Sequence, residues 1–166
     1  GIWLHGLPKG VDSRPYLDSD GCIVIDNRSL EIIAGEIIPG QTSIVLSPQI
    51  LNWVSLETQQ QKSASLMSEL MDWKASWEAK DNDGYLSYYA DDFTDFRRNR
   101  DEWASYKTRV NDGKRFIRVS ISDVSMLEQP GNNELVRVRY YQNYESDNYR
   151  WKGWKEQLWR EGKTGW

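Results

Sequence analysis

The spacing of apolar positions changes twice along this chain. In the first stretch, short apolar runs are set between turn residues. Ile2 to His5 predicts a short strand, and Gly6, Pro8, Gly10, Asp12, Pro15, Asp18 and Asp20 make residues 6–20 a loop. Cys22-Ile23-Val24-Ile25 is a compact apolar run that suits a buried strand. Asp26-Asn27 then offers caps for a helix to about Glu36, with Leu30, Ile33 and Ile37 on one face. Pro39-Gly40 ends that helix, and Ser43 to Leu46 reads as a further strand.

From Ser55 to about Lys80 the period becomes helical. Leu66, Leu70, Trp73 and Trp77 recur three and four residues apart, with Met67 and Met71 beside them, while Gln59-Gln60-Gln61-Lys62 is solvated. Asp81-Asn82-Asp83-Gly84 breaks the helix, Tyr85 to Tyr89 begins a shorter one, and Glu102 to Val110 forms a third, stopped by Asn111-Asp112-Gly113. The period then falls to two. Ile117, Val119 and Ile121 alternate with Phe116, Arg118 and Ser120; Val136, Val138, Tyr140 and Tyr144 alternate with Arg137, Arg139, Tyr141 and Asn143. Pro130-Gly131-Asn132-Asn133 is the hairpin turn between them, and Trp151 to Arg160 is a third antiparallel strand. Helices followed by a meander predict an α+β layout.

Composition narrows the function. Nine Trp and nine Tyr favour aromatic-lined cores or pockets over disorder. No apolar run approaches the roughly 20 residues that span a bilayer, so no membrane span is expected. A net charge of −4 argues against a nucleic-acid partner. Residues 1–60 carry three basic and seven acidic side chains, whereas the remainder balances, which marks a boundary near residue 60. Two domains are therefore expected, residues 1–54 and 55–166. The chain opens on Gly1-Ile2-Trp3-Leu4, which reads as a strand, and closes on Gly162-Lys163-Thr164-Gly165-Trp166, which reads as a turn into another. Both ends read as cut, predicting a piece of a longer protein with any targeting signal upstream.

The chain has one Cys and one His, so no internal disulfide is possible and no zinc site is expected. His5 ends a strand and precedes Gly6; Cys22 follows Ser19-Asp20-Gly21 and begins another strand. The turn-rich loop between them can bring the side chains together. An unperturbed thiol has a pKa of about 8.5 and is a poor nucleophile until a neighbouring imidazole takes its proton. Gly21 permits close backbone approach to a substrate. The Gly21 and Cys22 amides are placed to face a developing oxyanion, and Arg14 in the loop is a partner for a substrate carboxylate. The residues alone leave open the plainer reading, an inert buried thiol beside a structural imidazole.

At these positions the chain resembles the YkuD-type L,D-transpeptidase family, which has a His followed by Ser/Thr-x-Gly-Cys. Here that pattern reads His5-Gly6, a loop, then Ser19-Asp20-Gly21-Cys22, and the similarity runs through Ile23-Val24-Ile25 and the capped helix to about residue 47. It covers only the C-terminal part of such a domain. The resemblance implies that Cys22 is the acyl-enzyme nucleophile, His5 the general base, and the Gly6 carbonyl the group that orients the imidazole. Asp20 stands where many members have a second His, and Val24 where many have Arg or Asn. Both departures match the branch that includes cell-shape L,D-carboxypeptidases.

Residues from about 65 onward resemble nuclear-transport-factor-2-like (SnoaL-like) domains. The matching segments are Trp73-Lys74-Ala75-Ser76-Trp77, residues 83–89, 103–107 and 119–123, Tyr144 to Tyr149, and Leu158-Trp159-Arg160. Such domains follow the catalytic domain in cell-shape enzymes and normally end with one more strand than this chain supplies. Together the two resemblances imply a short β-rich catalytic part followed by a cone-shaped α+β domain with N-terminal helices and a curved antiparallel sheet. The implied activity is acyl transfer on peptidoglycan stem peptides, to an amine or to water, in the periplasm or cell envelope of a bacterium and without a cofactor. The alternative is a non-catalytic module that binds cell wall or protein through the cone's pocket. Self-association through the cone domain or the exposed catalytic part is a further expectation.

Three other features are set aside. Asp81-Asn82-Asp83-Gly84 has calcium-loop composition, but Ala79 and Ala90 stand where ligands are needed. Arg97-Arg98-Asn99-Arg100 reads as a solvated charged face. Tyr140, Tyr144, Tyr149 and Trp151 fit the cone's core as readily as a pocket wall.

Overall fold

Every helix here begins where a short polar side chain can take up an amide that lacks a partner one turn back. In the computed structural model, which describes residues 2–15, 18–39, 42–47, 53–129, 132–162 and 166, Asp26 accepts from Ser29 N at the start of α1 (Asn27–Ala34). Ser55 accepts from Thr58 N to start α2 (Leu56–Ala79), and Asp81 accepts from Gly84 N to start α3 (Asn82–Ser87). α4 (Arg100–Asp112) opens on a full capping box, Asn99 receiving Glu102 N while the Glu102 carboxylate receives Asn99 N.

The chain forms two compact units, Gly1–Ile44 and Val45–Trp166. In the first, β1 (Leu4–His5) and β2 (Ile23–Val24) pair in parallel, Leu4 opposite Ile23 and His5 opposite Val24. Ile23 N to Trp3 O (2.8 Å) and Ile25 N to His5 O (3.1 Å) extend the ladder. The strands expected from residue 2 and to residue 25 are thus present but shorter. Ser43 to Leu46, expected as a strand, pairs with no strand among the described residues; alternation makes a segment strand-like, but only a neighbouring ladder makes it a strand. No residue of α1 is buried, and Ile32 and Ile33 are exposed.

In the second unit the expected periodicity holds. Leu66, Leu70, Trp73 and Trp77 are the buried stripe of α2. The helix stops at Lys80, whose φ of 58° is left-handed and whose N–H reaches back to the carbonyls of Ser76 and Trp77. Asp81 to Gly84, expected only to break the helix, instead caps and begins α3. A side chain at Gly84 would run into the Asp81 carboxylate that makes this cap. Tyr85 enters the core from α3, stacked on Trp73 with centroids 5.7 Å apart.

β3 (Ile117–Gln129), β4 (Asn132–Ser146) and β5 (Arg150–Arg160) form an antiparallel sheet in that order. Val119 faces Tyr144, which faces Trp151; Val136 faces Trp159. One side buries Ile117, Val119, Val136, Val138, Tyr140, Tyr144 and Trp159. The other carries Arg118, Arg137, Arg139, Tyr141 and Trp154, with Arg139 stacked 4.1 Å over the Trp154 ring. The register shifts between Ser122 and Ser125, where Asp123 has a φ of 52°; such a bulge bends the strand and curves the sheet over the helices. The Val119 amide on the outer edge of β3 is taken by the Glu78 carboxylate of α2 at 2.6 Å. The turn expected at Pro130-Gly131, the helix stop at Gly40 and the turn over residues 163–165 lie outside the described residues.

Candidate functional site

β1 ends at His5 and β2 begins just after Cys22, so the parallel pairing alone makes the two residues neighbours. His5 lies opposite Val24, and strand alternation carries Cys22, two residues earlier, toward the same side. Both side chains are half-buried. The imidazole Nδ1 lies 2.8 Å from the Gly6 carbonyl oxygen. A carbonyl can only accept, so Nδ1 carries the hydrogen and Nε2 is left as the basic nitrogen. Among the described residues no hydrogen bond joins the Cys22 thiol to the ring.

Gly6 is required here for a second reason. Asn27, first residue of α1, lays its side chain against Gly6 and accepts the Leu7 amide at 2.8 Å. A Cβ on residue 6 would overlap the Asn27 amide oxygen and press on Leu30 at 3.3 Å. The helix that follows Cys22 thereby fixes the backbone that follows His5.

The remaining residues of the expected site divide. Gly21 has a φ of 84°, a conformation side chains resist, and turns the chain into Cys22. Its N–H is spent on the Ser19 carbonyl at 2.8 Å, while the Ser19 hydroxyl donates to the Cys22 carbonyl, also at 2.8 Å. The Cys22 N–H meets no acceptor among the described residues, whereas that of Gly21 is taken. Arg14 is paired with Asp18 at 3.1 Å.

The second unit holds a charged group that sequence reading passed over. Lys107 on α4 is only 7% exposed, and its ammonium sits 4.2 Å from the Trp77 ring centre, 5.2 Å from Tyr85 and 5.5 Å from Trp103. No carboxylate pairs with it among the described residues. Burial above all, then the like charges of Lys155 and Lys114, pulls its pKa down to about 7. Around it, Trp77 Nε1 donates to Asn111 at 3.2 Å, Asn111 donates to Asn82 at 2.9 Å, and the Tyr85 and Tyr89 hydroxyls meet at 2.6 Å. Burial pushes Tyr85, Tyr89 and Tyr140 up, keeping their hydroxyls neutral. The legible signal was Trp103, Lys107 and Asn111 at four-residue spacing, one face of α4 on which the last two are polar and buried.

Of the four aromatics weighed as pocket or core, Tyr140 and Tyr144 are core, Trp151 is half-buried and Tyr149 is exposed. Arg97 and Arg98 border an open surface hollow with Asp101, Glu102, Ser105, Tyr106 and Arg109. Arg98 is held there by Asp95 at 2.8 Å and by the Tyr106 ring at 4.2 Å.

Against known proteins, the sequence model of the Cds6 C-terminal NTF2-like domain matches residues 65–166. Among solved structures, the chain is similar to Bdellovibrio bacteriovorus Bd1075, with a TM-score of 0.72 and 28% identity over 99% of this chain and 58% of that one. It is likewise similar to the helical cell shape determining protein Pgp2 from Campylobacter jejuni, with a TM-score of 0.72 and 26% identity over 99% of this chain and 58% of that one. A putative dehydratase of the NTF2-like family from Streptomyces avermitilis shares the fold, with a TM-score of 0.54 and 12% identity over 65% of this chain and 91% of that one. The chain thus spans less than two thirds of the length of Bd1075 and Pgp2. No curated protein matches it.

Proposed function

The chain belongs, through residues 65–166, to the Cds6 C-terminal NTF2-like domain family, and from that premise we propose a cell-wall role in which residues 1–47 carry cysteine-dependent acyl transfer on peptidoglycan stem peptides. The cell-shape relative Pgp2 aligns with 99% of the chain, first unit included, which supports extending the reading to the His5–Cys22 pair. The observation that carries it is the bond from His5 Nδ1 to the Gly6 carbonyl, with Cys22 immediately before the strand that pairs with β1.

In this mechanism the Cys22 thiol gives its proton to His5 Nε2, and the thiolate attacks the amide carbonyl that follows an L-centre. The Cys22 N–H meets the oxyanion, and His5 returns the proton to the departing amine. The acyl group then passes to a second amine, as in an L,D-transpeptidase, or to water, as in an L,D-carboxypeptidase. Peptidoglycan places the protein in the periplasm or cell envelope; no helix among the described residues is long and apolar enough to cross a membrane.

Iodoacetamide at neutral pH tests the pairing. Cys22 is expected to alkylate at least about ten times faster than a free peptide thiol, and His5→Ala to abolish the excess. Equal rates for the wild type and His5→Ala would remove the general base from the scheme. In cells, unchanged muropeptides after Cys22→Ala would remove the activity itself.

A second reading, a non-catalytic binding module, draws on Lys107. Its aromatic surroundings and the neighbouring Lys155 suit a carboxylate-bearing cell-wall peptide. Binding of purified muropeptides by Cys22→Ala, lost in Lys155→Ala, would favour this reading.

A further inference from the structure

The loop before α4 combines a strained backbone with a bare aromatic ring, and neither function proposed above draws on it. Phe96 has a φ of 68° and its residue is 100% exposed. The Asp95 carboxylate holds it there, accepting the amides of Arg97 at 3.0 Å and Arg98 at 2.6 Å and pairing with the Arg98 guanidinium at 2.8 Å. The Phe96 amide donates to the Thr94 hydroxyl at 3.1 Å. A left-handed residue other than glycine costs stability, and a ring standing in water returns nothing to the fold. Strain that the surrounding contacts over-determine in this way is characteristic of binding surfaces.

Arg97 and Arg98 also wall the open hollow, about 500 Å³, whose floor is the face of α4 running from Asp101 through Tyr106 to Arg109. Its charges are not equally available. Arg98 is held by Asp95 and lies 4.2 Å over the Tyr106 ring, and the Glu102 carboxylate is spent on the Asn99 amide at 3.0 Å. Among the described residues neither Arg97 nor Arg109, both exposed, has a carboxylate partner. A guanidinium fork selects carboxylate or phosphate. Asp101 on the same floor repels a dense anion such as phosphate, so single carboxylates spaced along a chain are the better match.

We propose that this face docks an acidic segment of a partner protein. Two of its carboxylates take the forks of Arg97 and Arg109, and a neighbouring apolar side chain packs on the Phe96 ring. The loop is already fixed by Asp95, so the cost of ordering falls on the partner alone. Phe96 separates a protein segment from a purely ionic ligand, which would leave the ring in water. Because Cys22, His5 and Lys107 take no part, the inference stands or falls apart from both readings above.

Fluorescence anisotropy on the 166-residue chain tests the surface with fluorescein-labelled peptides. Glu-Gly-Glu-Leu-Phe is expected to bind with a Kd of about 100 μM in 50 mM NaCl, and at least about ten times more weakly in 300 mM. Lys-Gly-Lys-Leu-Phe should not bind. Arg97→Ala and Arg109→Ala, both at exposed positions, should each weaken the acidic peptide at least about fivefold with an unchanged circular dichroism spectrum. Phe96→Gly should weaken Glu-Gly-Glu-Leu-Phe to a similar extent, yet leave the weaker binding of Glu-Gly-Glu-Ser-Ser as it was. No binding of the acidic peptide up to about 1 mM, equal affinity for either arginine variant, or indifference to Phe96→Gly would each overturn the proposal. Displacement of the probe by purified muropeptides at concentrations no higher than the unlabelled peptide needs would overturn it as well, by giving the hollow to the cell wall.

Discussion

Replacing Lys107 by methionine should make the protein more stable at pH 6, not less. Burial and the like charges of Lys155 and Lys114 move the ammonium from its ordinary value of 10.5 to about 7. At about 1.4 kcal/mol per pH unit, keeping the charge inside the fold below pH 7 costs about 5 kcal/mol. Methionine keeps the length and apolar stem without the charge, so the expected gain at pH 6 is of the order of that cost, about 5 kcal/mol. Between about pH 7 and 10.5 the unfolded chain holds a proton on this lysine that the folded chain does not. Wild-type stability therefore rises with pH across that window, whereas that of Lys107→Met has no such term. The two curves should converge near pH 10. Urea unfolding of both proteins, read by tryptophan fluorescence at pH 6, 7.5, 9 and 10, measures the gap. Parallel curves, or a variant that is less stable at every pH, would refute the assignment of a costly buried charge.

Three further outcomes follow from contacts described above. Gly6→Ala should displace the Asn27 side chain and break its bond to the Leu7 amide, loosening α1 by about 1–3 kcal/mol; faster hydrogen exchange at Leu7 with unchanged exchange in α2 would show it, and an unaltered Leu7 would contradict it. Asn111→Ala strands the Trp77 N–H and the Asn82 amide oxygen at a site only 1% exposed, so a loss of about 2 kcal/mol or more is expected in thermal melts, and an unchanged melting temperature would contradict it. Phe96 is fully exposed at a φ of 68°, held there by the Asp95 carboxylate on the Arg97 and Arg98 amides; Phe96→Gly should therefore raise stability by about 1 kcal/mol, and a fall in urea midpoint would show that the ring does something for the fold.

Most of the second unit could be read from periodicity because its elements bury one face each. The α2 stripe, the alternating β4 residues and the end of β5 at Arg160 were all visible for that reason. The helix α3 was placed three residues late, since Asp81 to Gly84 has the composition of a loop and acts as a cap only because the chain reverses at Lys80. β3 runs eight residues past Ile121, where the bulge at Asp123 interrupts the alternation that marks a strand. The first unit was less legible, since its strands are too short for a period to develop.

What the sequence determined by itself was the presence of one thiol and one imidazole, the loop that joins them and the layout of helices before strands. These depend on local spacing and turn chemistry, which neighbours along the chain settle. The tautomer of His5 needed the Gly6 carbonyl in place. The choice between the Gly21 and Cys22 amides needed the Ser19 carbonyl, and the character of Lys107 needed rings from three helices. Each of these depends on distances between groups far apart in the chain or on local dihedral angles, and a lysine on a helix is ordinary until the fold decides whether water or indole surrounds it.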